Sequence, residues 1–476
     1  MNRIIFFFII VCSSITAMAQ NITGSWQGSI PAGGKNVRLI FNVTKNADGY
    51  TTTFDSPDQN AYGISCSNTS FINDSLFIDI KLVNGGYKGK WNGGDEIKGV
   101  YAQNGSSTAF DMKRLSNAEI PHSAAVQPKP QTPKPPFAYI SEDVTYNNME
   151  QRVNLAGTLT KPAVGTKFPV VLLITGSGAQ DRNETIGMHK PFWVIADYLT
   201  NQGIAVLRVD DRGIGGSTGD FRSSSSADFA TDVMAGINYL KTRSDIDVSR
   251  IGLLGHSEGG LIAPYVAAHS KDVAFIVSLA GAVVGGKAVN DFQNTLPMLQ
   301  SGVSKENVAS FLELHHPLVD AAITVSNDSV YKTMVQQIFT GWKQKQTSQT
   351  IQALVKGPDD LAIQSMQRNY GAFRNAWWKF FLTYEPINDL QTLKIPVLAL
   401  NGEKDEQVEP VSNLAIFKDS FKKGNKNSKA IEIPGVNHLF QHCKVCGSIP
   451  EYLALEETFD TATLSIIGNW IKEQVK

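Results

Sequence analysis

Residues 250–263 read Arg-Ile-Gly-Leu-Leu-Gly-His-Ser-Glu-Gly-Gly-Leu-Ile-Ala. Residues 251–254 predict a short buried strand, and the residues from Gly260 onward predict the start of a helix. Between them lies a Gly-x-Ser-x-Gly motif centred on Ser257, in which the flanking glycines allow strand and helix to meet at a sharp, strained turn. Such a turn raises the serine hydroxyl above a sheet. The pentapeptide alone also fits a glycine-rich turn with a solvated serine.

The sequence around this motif alternates between continuous apolar runs and helical stretches. Apolar runs without polar alternation are typical of parallel strands that are buried on both faces. The pattern predicts an α/β fold, with a mostly parallel, doubly wound sheet whose ligands bind at the carboxyl ends of the strands. The predicted strands are 170–174, 204–209, 251–254, 274–279, 397–400 and 430–433, and the helices between them include 192–201, 227–242 and 260–269.

Three candidate catalytic residues follow three of these strands. Ser257 follows the strand at 251–254, Asp405 follows 397–400, and His438 follows 430–433. The order Ser, Asp, His along the chain is the one expected for an α/β-hydrolase. Taken singly, His438 also fits a surface or capping histidine, and Asp405 one carboxylate of an acidic turn. The joint placement at strand ends favours a catalytic triad.

Each of the three residue types has a role in acyl transfer. A serine hydroxyl is a poor nucleophile at neutral pH, so His438 would accept its proton as general base and Asp405 would orient the imidazole. The oxyanion would be stabilised by backbone N–H groups. We expect one from Glu258 and the other from the glycine-containing loop at 175–184, where Ser177 is favoured and Gly178 is the next candidate.

A long insertion separates the strands at 274–279 and 397–400. Its residues have helical character at 292–299, 305–314 and 329–340 and are followed by the aromatic run 377–381. The position predicts a helical cap, at about residues 282–390, that excludes water and shapes the substrate pocket. His315 and His316 lie within it, and we interpret them as surface or packing residues because no carboxylate or cysteine cluster accompanies them.

The first residues have the features of an export signal. Met1 to Arg3 give a basic start, an apolar run follows, and Ala17-Met18-Ala19 is a small-x-small cleavage site. We expect a signal peptide at 1–19 and a periplasmic or secreted mature protein. A lipoprotein anchor at Cys12 is the alternative, and Val11 before it is bulky for that motif. No other stretch is long and apolar enough to predict a membrane span.

Residues 20–116 predict a separate all-β accessory domain. Short runs with period-two alternation are divided by Asn-Gly and Gly-Gly turns, which suggests about eight antiparallel strands in a sandwich or small barrel. The domain has no cluster of titratable residues, so it would bind a carbohydrate, a lipid or the catalytic domain. Trp26, Tyr87 and Trp91 would either stack on a sugar or form the core. The proline-rich residues 117–136 predict an extended linker that holds the two domains apart, with the catalytic domain at 137–476.

Composition limits the remaining classes of function. The net charge is −1, from 43 basic and 44 acidic residues, which gives no reason to expect a nucleic-acid partner. Cys443 and Cys446 predict a local disulfide in an oxidising compartment, although Cys-x-x-Cys also occurs in metal and redox sites. Cys66 is expected to be a buried free thiol. We predict neither a metal nor another cofactor.

Four segments together resemble one family of bacterial enzymes. They are Thr175 to Glu184, Val209 to Ser217, Gly255 to Gly260 and Gly435 to Gln441, and they occur in the order found in the EstD-type esterases of the α/β-hydrolase superfamily. Such proteins are often labelled serine aminopeptidase-like or dipeptidyl aminopeptidase-like. The resemblance covers about residues 140–476.

The resemblance implies hydrolysis of carboxylic esters with small acyl or aryl groups, so that the partner would be a small-molecule ester substrate. Two alternatives stay open. One is an aminopeptidase or acyl-peptide hydrolase, which needs an acidic site for the substrate amine, and Glu258 and Asp181 are candidates for it. The other is a non-catalytic binding protein that retains the fold, because a fold alone does not establish activity.

Overall fold

The computed structural model describes residues 21–32, 35–46, 49–59, 61–66, 68–80, 85–103, 106–116, 128–421, 427–447 and 449–476. The expected signal peptide at 1–19 lies outside the described residues, as does most of the first half of the expected linker. Two β-sheets and a group of helices account for the described chain.

The amino-terminal sheet contains ten strands, all paired antiparallel, in the order β4-β3-β2-β1-β10-β8-β7-β6-β5 with β9 paired to β8. The sequence pattern predicts about eight strands, and the shortest, β9 and β10, are too short for a period-two signal. The bounds are β1 (Gly24–Ala32), β2 (Lys35–Asn46), β3 (Gly49–Ser56), β4 (Ala61–Ser65), β5 (Asn68–Ile72), β6 (Ser75–Ile80), β7 (Gly85–Trp91), β8 (Glu96–Gln103), β9 (Ser106–Ala109) and β10 (Met112–Arg114).

Aromatic side chains fill the core of this sheet. Trp26, Tyr87 and Trp91 are all buried, with at most 6% of any of these residues exposed. The rings of Phe41 and Tyr87 stack at 5.9 Å between centroids, and Trp26 and Trp91 meet edge to face at 6.4 Å. These three residues therefore contribute to packing, and they do not form an exposed platform for a sugar ring.

The second sheet contains eight strands in the order β11-β12-β14-β13-β15-β16-β17-β18. The last six in this order are mutually parallel, whereas β11 and β12 form an antiparallel pair at one edge. Their bounds are β11 (Tyr139–Asn148), β12 (Val153–Pro162), β13 (Phe168–Ile174), β14 (Ala205–Val209), β15 (Ile246–His256), β16 (Phe275–Leu279), β17 (Val397–Gly402) and β18 (Lys429–Ile433).

Helices pack on both faces of this sheet, and successive strand residues belong to different cores. Val170 and Leu172 of β13 contact a cluster that includes α2 (Ser226–Lys241), α3 (Glu258–His269) and α11 (Pro410–Phe421). Val171 and Leu173 contact a second cluster with α1 (Pro191–Asn201) and α13 (Thr461–Gln474). The continuous apolar runs in the sequence follow from this burial on two faces, because neighbouring strand residues point in opposite directions.

Seven helices lie between β16 and β17. They are α4 (Gly286–Gln300), α5 (Lys305–Thr324), α6 (Asp328–Lys343), α7 (Ser348–Leu354), α8 (Asp359–Gly371), α9 (Ala376–Thr383) and α10 (Pro386–Leu390). A separate hydrophobic cluster unites α5, α6 and α8 around Tyr331, Phe339 and Trp342. The insertion thus has a core of its own.

The proline-rich segment packs against the second half of the chain, which differs from the expected spacer. Lys129 Nζ donates hydrogen bonds to the carbonyl oxygens of Leu453 (2.9 Å) and Leu455 (2.6 Å), and Gln131 Nε2 donates to Phe459 O at 2.7 Å. Polyproline composition predicts an extended backbone but not its surroundings. Here polar side chains between the prolines supply donors to an irregular loop.

Cys443 and Cys446 form a disulfide, as their spacing predicts. Cys66 is a free thiol of intermediate exposure, and burial raises the pKa of its thiol to about 12. Among the described residues, no helix combines the length and the apolar character that a membrane span requires.

Candidate active site

Ser257 lies on a strained turn between β15 and α3. Its backbone has φ 53° and ψ −114°, outside the common regions for a side chain with a Cβ, and its N–H donates to Leu279 O at 2.8 Å. A Cβ placed on Gly255 would lie 2.0 Å from Gly259 O, and one on Gly259 would lie 2.1 Å from Ile174 O. The glycines of the motif are therefore required by close backbone approach. The Ser257 side chain makes no capping hydrogen bond to α3.

His438 and Asp405 form a buried pair after β18 and β17. His438 Nδ1 lies 2.8 Å from Asp405 Oδ2, and each residue is 3% exposed. Asp405 Oδ1 accepts from the N–H groups of Gln407 (2.8 Å) and Val408 (2.9 Å), so the carboxylate is held in one orientation. With Nδ1 directed at a carboxylate, the proton belongs on Nδ1 and Nε2 is left as the basic nitrogen.

His438 lies against the residue that precedes Ser257. The rings of His256 and His438 are 4.8 Å apart between centroids, and His256 Nε2 is 3.0 Å from His438 O. The structure therefore pairs His438 with Asp405 and places His438 against the neighbour of Ser257, while the catalytic triad itself stays a prediction. Among the described contacts, Ser257 Oγ has no hydrogen bond to His438, and such bonds are often long in unliganded enzymes.

A second buried pair, His256 and Glu184, was not predicted from the sequence. His256 Nδ1 lies 2.9 Å from Glu184 Oε1, and the same oxygen accepts from Gly176 N–H at 2.7 Å. Burial lowers the pKa of His256, but the charge and hydrogen bond of Glu184 outweigh it and the net shift is upward. Both residues lie inside motifs singled out above, yet neither has a residue spacing that signals a pair.

The backbone groups expected to hold an oxyanion belong to the start of α3 and to the loop after β13. Glu258 is the first residue of α3, so its N–H has no acceptor within the helix and carries the positive end of the helix dipole. Ser177 is exposed and Gly178 has φ 96°, three and four residues beyond the end of β13 at Ile174. Gly176 N–H is already engaged by Glu184. The assignment of Ser177 or Gly178 stays a prediction.

The side chain of Glu258 has a separate environment that sequence reasoning did not predict. Its Oε1 accepts from Ser226 Oγ of α2 at 2.7 Å and from Trp377 Nε1 of α9 at 2.7 Å. Burial raises the pKa of this carboxyl to about 7, against the opposing effect of the two hydrogen bonds. The inserted helices thus reach the residue beside Ser257.

Other titratable clusters have structural roles. His315 is buried and bonds Asn290 Oδ1 at 2.7 Å, and the exposed His316 pairs with Asp291. His442, Glu457 and Asp460 place ligand-type atoms within 4.8 Å of one another, but both Asp460 oxygens accept hydrogen bonds at the start of α13. The Asp460 carboxylate is therefore committed to helix capping.

Comparison with known proteins identifies the class. A family model described as X-Pro dipeptidyl-peptidase (S15 family) matches residues 151–441, more than half of the chain, and the chain belongs to this family. It is similar to esterase EstD of Thermotoga maritima, with 26% identity over 336 residues that cover 71% of this chain and 68% of the relative. A shorter match, 30% identical over 99 residues, joins it to the putative hydrolase YtaP of Bacillus subtilis, covering 18% of this chain and 33% of that one.

Solved structures with a similar chain course include the Pyrococcus furiosus esterase Pf2001, at TM-score 0.42 and 17% identity over 70% of this chain and 91% of that one. The α/β-hydrolase GrgF of a Penicillium species has TM-score 0.42 and 16% identity over 70% of this chain and 99% of that one. The family and its relatives make this protein an esterase-type hydrolase of the α/β-hydrolase superfamily.

Proposed function

We propose that the protein is an exported serine hydrolase that cleaves carboxylic esters of small acyl or aryl groups through an acyl-enzyme. The observation that supports this proposal is that Ser257 lies on a strained turn while His438, oriented by Asp405, packs against His256, the residue that precedes Ser257. In this proposal the second sheet is doubly wound, and the inserted helices form a cap over the carboxyl ends of its strands.

The proposed reaction follows from the orientation of His438. Its Nε2 removes the proton from Ser257 Oγ as that oxygen attacks the ester carbonyl carbon, and the resulting imidazolium is stabilised by Asp405. The N–H groups of Glu258 and of Ser177 or Gly178 stabilise the oxyanion. His438 then protonates the departing alcohol, and a water, deprotonated by the same nitrogen, releases the acid.

A fluorophosphonate probe tests the nucleophile. The wild-type protein should be labelled on Ser257, and Ser257→Ala should lose labelling together with about four to six orders of magnitude in kcat. Ser226→Ala is a matched control, because that hydroxyl already donates to Glu258 and should not be labelled. Full labelling of the Ser257→Ala variant would require another nucleophile and would contradict the proposal.

Peptidase activity is the second candidate, because the matched family is named for a dipeptidyl-peptidase. A substrate ammonium needs an ionised carboxylate, and burial makes Glu258 reluctant to ionise. We therefore expect short acyl esters to have a higher kcat/KM than aminoacyl-arylamides on the same preparation. A faster arylamide whose cleavage stops when its amine is acetylated would establish the peptidase instead.

Export is supported by the basic start, the apolar run and the small-x-small site at residues 17–19. We expect the mature chain to begin at Gln20 in a periplasmic or secreted location. Mass spectrometry of the first peptide, from protein made with its full leader, tests this. A chain that retains Met1 in the cytoplasmic fraction would contradict it.

A further inference from the structure

A cavity open to solvent lies beside the strand that carries Ser257. Its wall includes Thr175 and Gly176 of the loop after β13, and Glu258 at the start of α3. A Cβ built on Gly176 would lie 3.2 Å from Ser257 Cβ, so this wall adjoins the nucleophile. The cavity therefore lies next to the residue proposed as the nucleophile.

The cavity and His438 lie on opposite sides of Ser257. Most of the cavity lining comes from β11 to β14, α2 and the loops after β13 and β14, with Glu258 and Ile262 from α3. His438 follows β18, and β15 lies between β13 and β18 in the sheet order. In the proposed mechanism, the histidine delivers its proton to the alcohol, which must then leave on the His438 side. The opposite side is left for the acyl group.

Most of the cavity wall is apolar and part of it is aromatic. Such a wall suits a flat or branched hydrocarbon body, whose transfer from water is favourable in proportion to the apolar area buried. The apolar lining includes Tyr146, Leu155, Phe221, Phe229, Val233 and Ile262.

Carboxyl groups interrupt this wall, and their hydrogen bonding differs. Asp211 is fully engaged, since Oδ1 accepts from Thr175 Oγ1 at 2.7 Å and Oδ2 from Gln180 N–H at 2.8 Å. Glu258 is only 3% exposed, and both of its bonds fall on Oε1. Oε2 of Glu258 has no hydrogen-bond partner among the described residues. Because both described bonds fall on Oε1, Oε2 can still accept a hydrogen bond from a ligand in the cavity.

We propose that this cavity is the acyl subsite and that it selects an aromatic acyl group bearing a hydroxyl that hydrogen-bonds Glu258 Oε2. The inference rests on the proposed function, because it assumes an acyl-enzyme at Ser257. A hydroxyl fits better than an ammonium, since it donates to a carboxylate and accepts from a protonated carboxyl, whereas an ammonium can only donate.

One test varies the acyl group under a constant p-nitrophenol leaving group. Phenylpropanoyl esters carrying a ring hydroxyl at each position are compared with their methoxy and aminomethyl counterparts, at about pH 7 where the carboxyl and carboxylate forms of Glu258 are both populated. The best hydroxyl isomer should exceed its methoxy partner in kcat/KM by at least about tenfold. The amide of the Glu258→Gln variant can donate to a hydroxyl oxygen and to a methoxy oxygen alike. In this variant the ratio of kcat/KM for the hydroxyl ester over the methoxy ester should fall below about threefold. Equal ratios in the two proteins would overturn the role of Glu258, and an aminomethyl ester that exceeds every hydroxyl isomer would overturn the choice of hydroxyl.

A second test fills the cavity. Val233→Phe adds volume to its wall, and Val411→Phe makes the same change at a residue that is 68% exposed. The ratio of kcat/KM for the phenylpropanoyl ester over the acetyl ester should fall by at least about tenfold in Val233→Phe and stay within about twofold in Val411→Phe. An unchanged ratio would overturn the subsite while acetyl ester cleavage and Ser257 labelling still supported the proposed function. If the wild-type protein neither cleaves the acetyl ester nor is labelled on Ser257, the subsite and the proposed function are both overturned.

Discussion

Glu184 is the residue that links the loop after β13 to the two histidines. It is 2% exposed, it has φ 52°, and its Oε1 accepts from Gly176 N–H and faces His256 Nδ1. His256 Nε2 then reaches His438 O. Glu184 Oε1 thus connects the loop expected to hold the oxyanion, through His256, to the loop that carries the proposed base. Glu184 itself touches no reacting atom.

We expect Glu184→Gln to lower kcat by about tenfold to a hundredfold with little change in KM, because losing a buried charge-assisted bond costs about 1.5–3 kcal/mol. The pKa of His256, which Glu184 holds above its ordinary value, should fall in the variant. Steady-state kinetics and an NMR titration of the histidines measure both effects. Glu409→Gln, at a half-buried carboxylate that caps α11, is the matched control. A normal kcat together with a lowered pKa of His256 would show that the state of His256 does not affect the proposed base, His438.

The raised pKa of Glu258 has a defined effect on stability. Its pKa is about 7 in the folded protein against an ordinary value of 4.5, so the folded state binds more protons than the unfolded state between these values. Stability should therefore fall as pH rises through this window, by about 3 kcal/mol from this group alone. Urea unfolding at several pH values, compared with Glu258→Gln, measures the difference. Parallel pH profiles for the two proteins would contradict the shift.

At the level of elements, the sequence predicts where the strands end, but not the side-chain contacts between residues that are far apart in the chain. Residues 251–254 fall inside β15 and residues 260–269 inside α3, because continuous apolar runs and helical periodicity are local signals. The proposed triad can be predicted for the same reason, since Ser257 directly follows β15 while Asp405 and His438 lie in the loops that begin at the ends of β17 and β18. The contact of Glu258 with Trp377 joins residues 119 apart in the chain, and no periodicity records such a distance.

The same contact anchors α9, and Trp377→Phe tests it. The variant keeps the stacking on Phe381, at 5.0 Å between centroids, but loses the bond from Nε1 to Glu258. We expect a loss of about 1–2 kcal/mol in unfolding free energy and faster hydrogen exchange in α9. The pKa of Glu258 should rise further, because this bond lowers it.

Trp378→Phe is the control for this experiment, since its indole N–H has no hydrogen-bond partner among the described residues and it lies in the same helix. Equal exchange rates in the two variants would show that ring packing alone holds α9 in place.

At the scale of the molecule, the amino-terminal sheet packs on loops of the hydrolase half. Leu453 of α12 (Ile449–Ala454) and Ile186 belong to the hydrophobic cluster that contains Trp26 and Phe41. Ile186 is two residues from Glu184, and α12 lies on the segment that follows His438. Arg222 Nη2 adds a bond to Asp79 at 2.9 Å. The strand pattern predicts that this region is all-β, but nothing local in the sequence predicts that its core includes residues from the far end of the chain.

We expect Leu453→Ala to lower the stability of the amino-terminal sheet and the activity together. The side chain is 7% exposed, and a buried Leu→Ala change costs about 2–5 kcal/mol. Scanning calorimetry should show a lower first transition, and kcat should fall as the loop bearing Glu184 loosens. Leu361→Ala, at a leucine that is 55% exposed, should leave both unchanged. An unaltered melting profile for Leu453→Ala would show that the two halves are energetically independent.

The shared core has a consequence for recombination between genes. A segment encoding only residues 21–116 would leave behind Ile186 and Leu453, two of the side chains around which its product packs. A chimera that joins this sheet to another hydrolase would need the host's loops at both positions to be replaced as well. The unit that can be inherited or transplanted as a working whole is therefore the sheet together with two distant loops, and crossover points chosen at the proline-rich segment would cut through it.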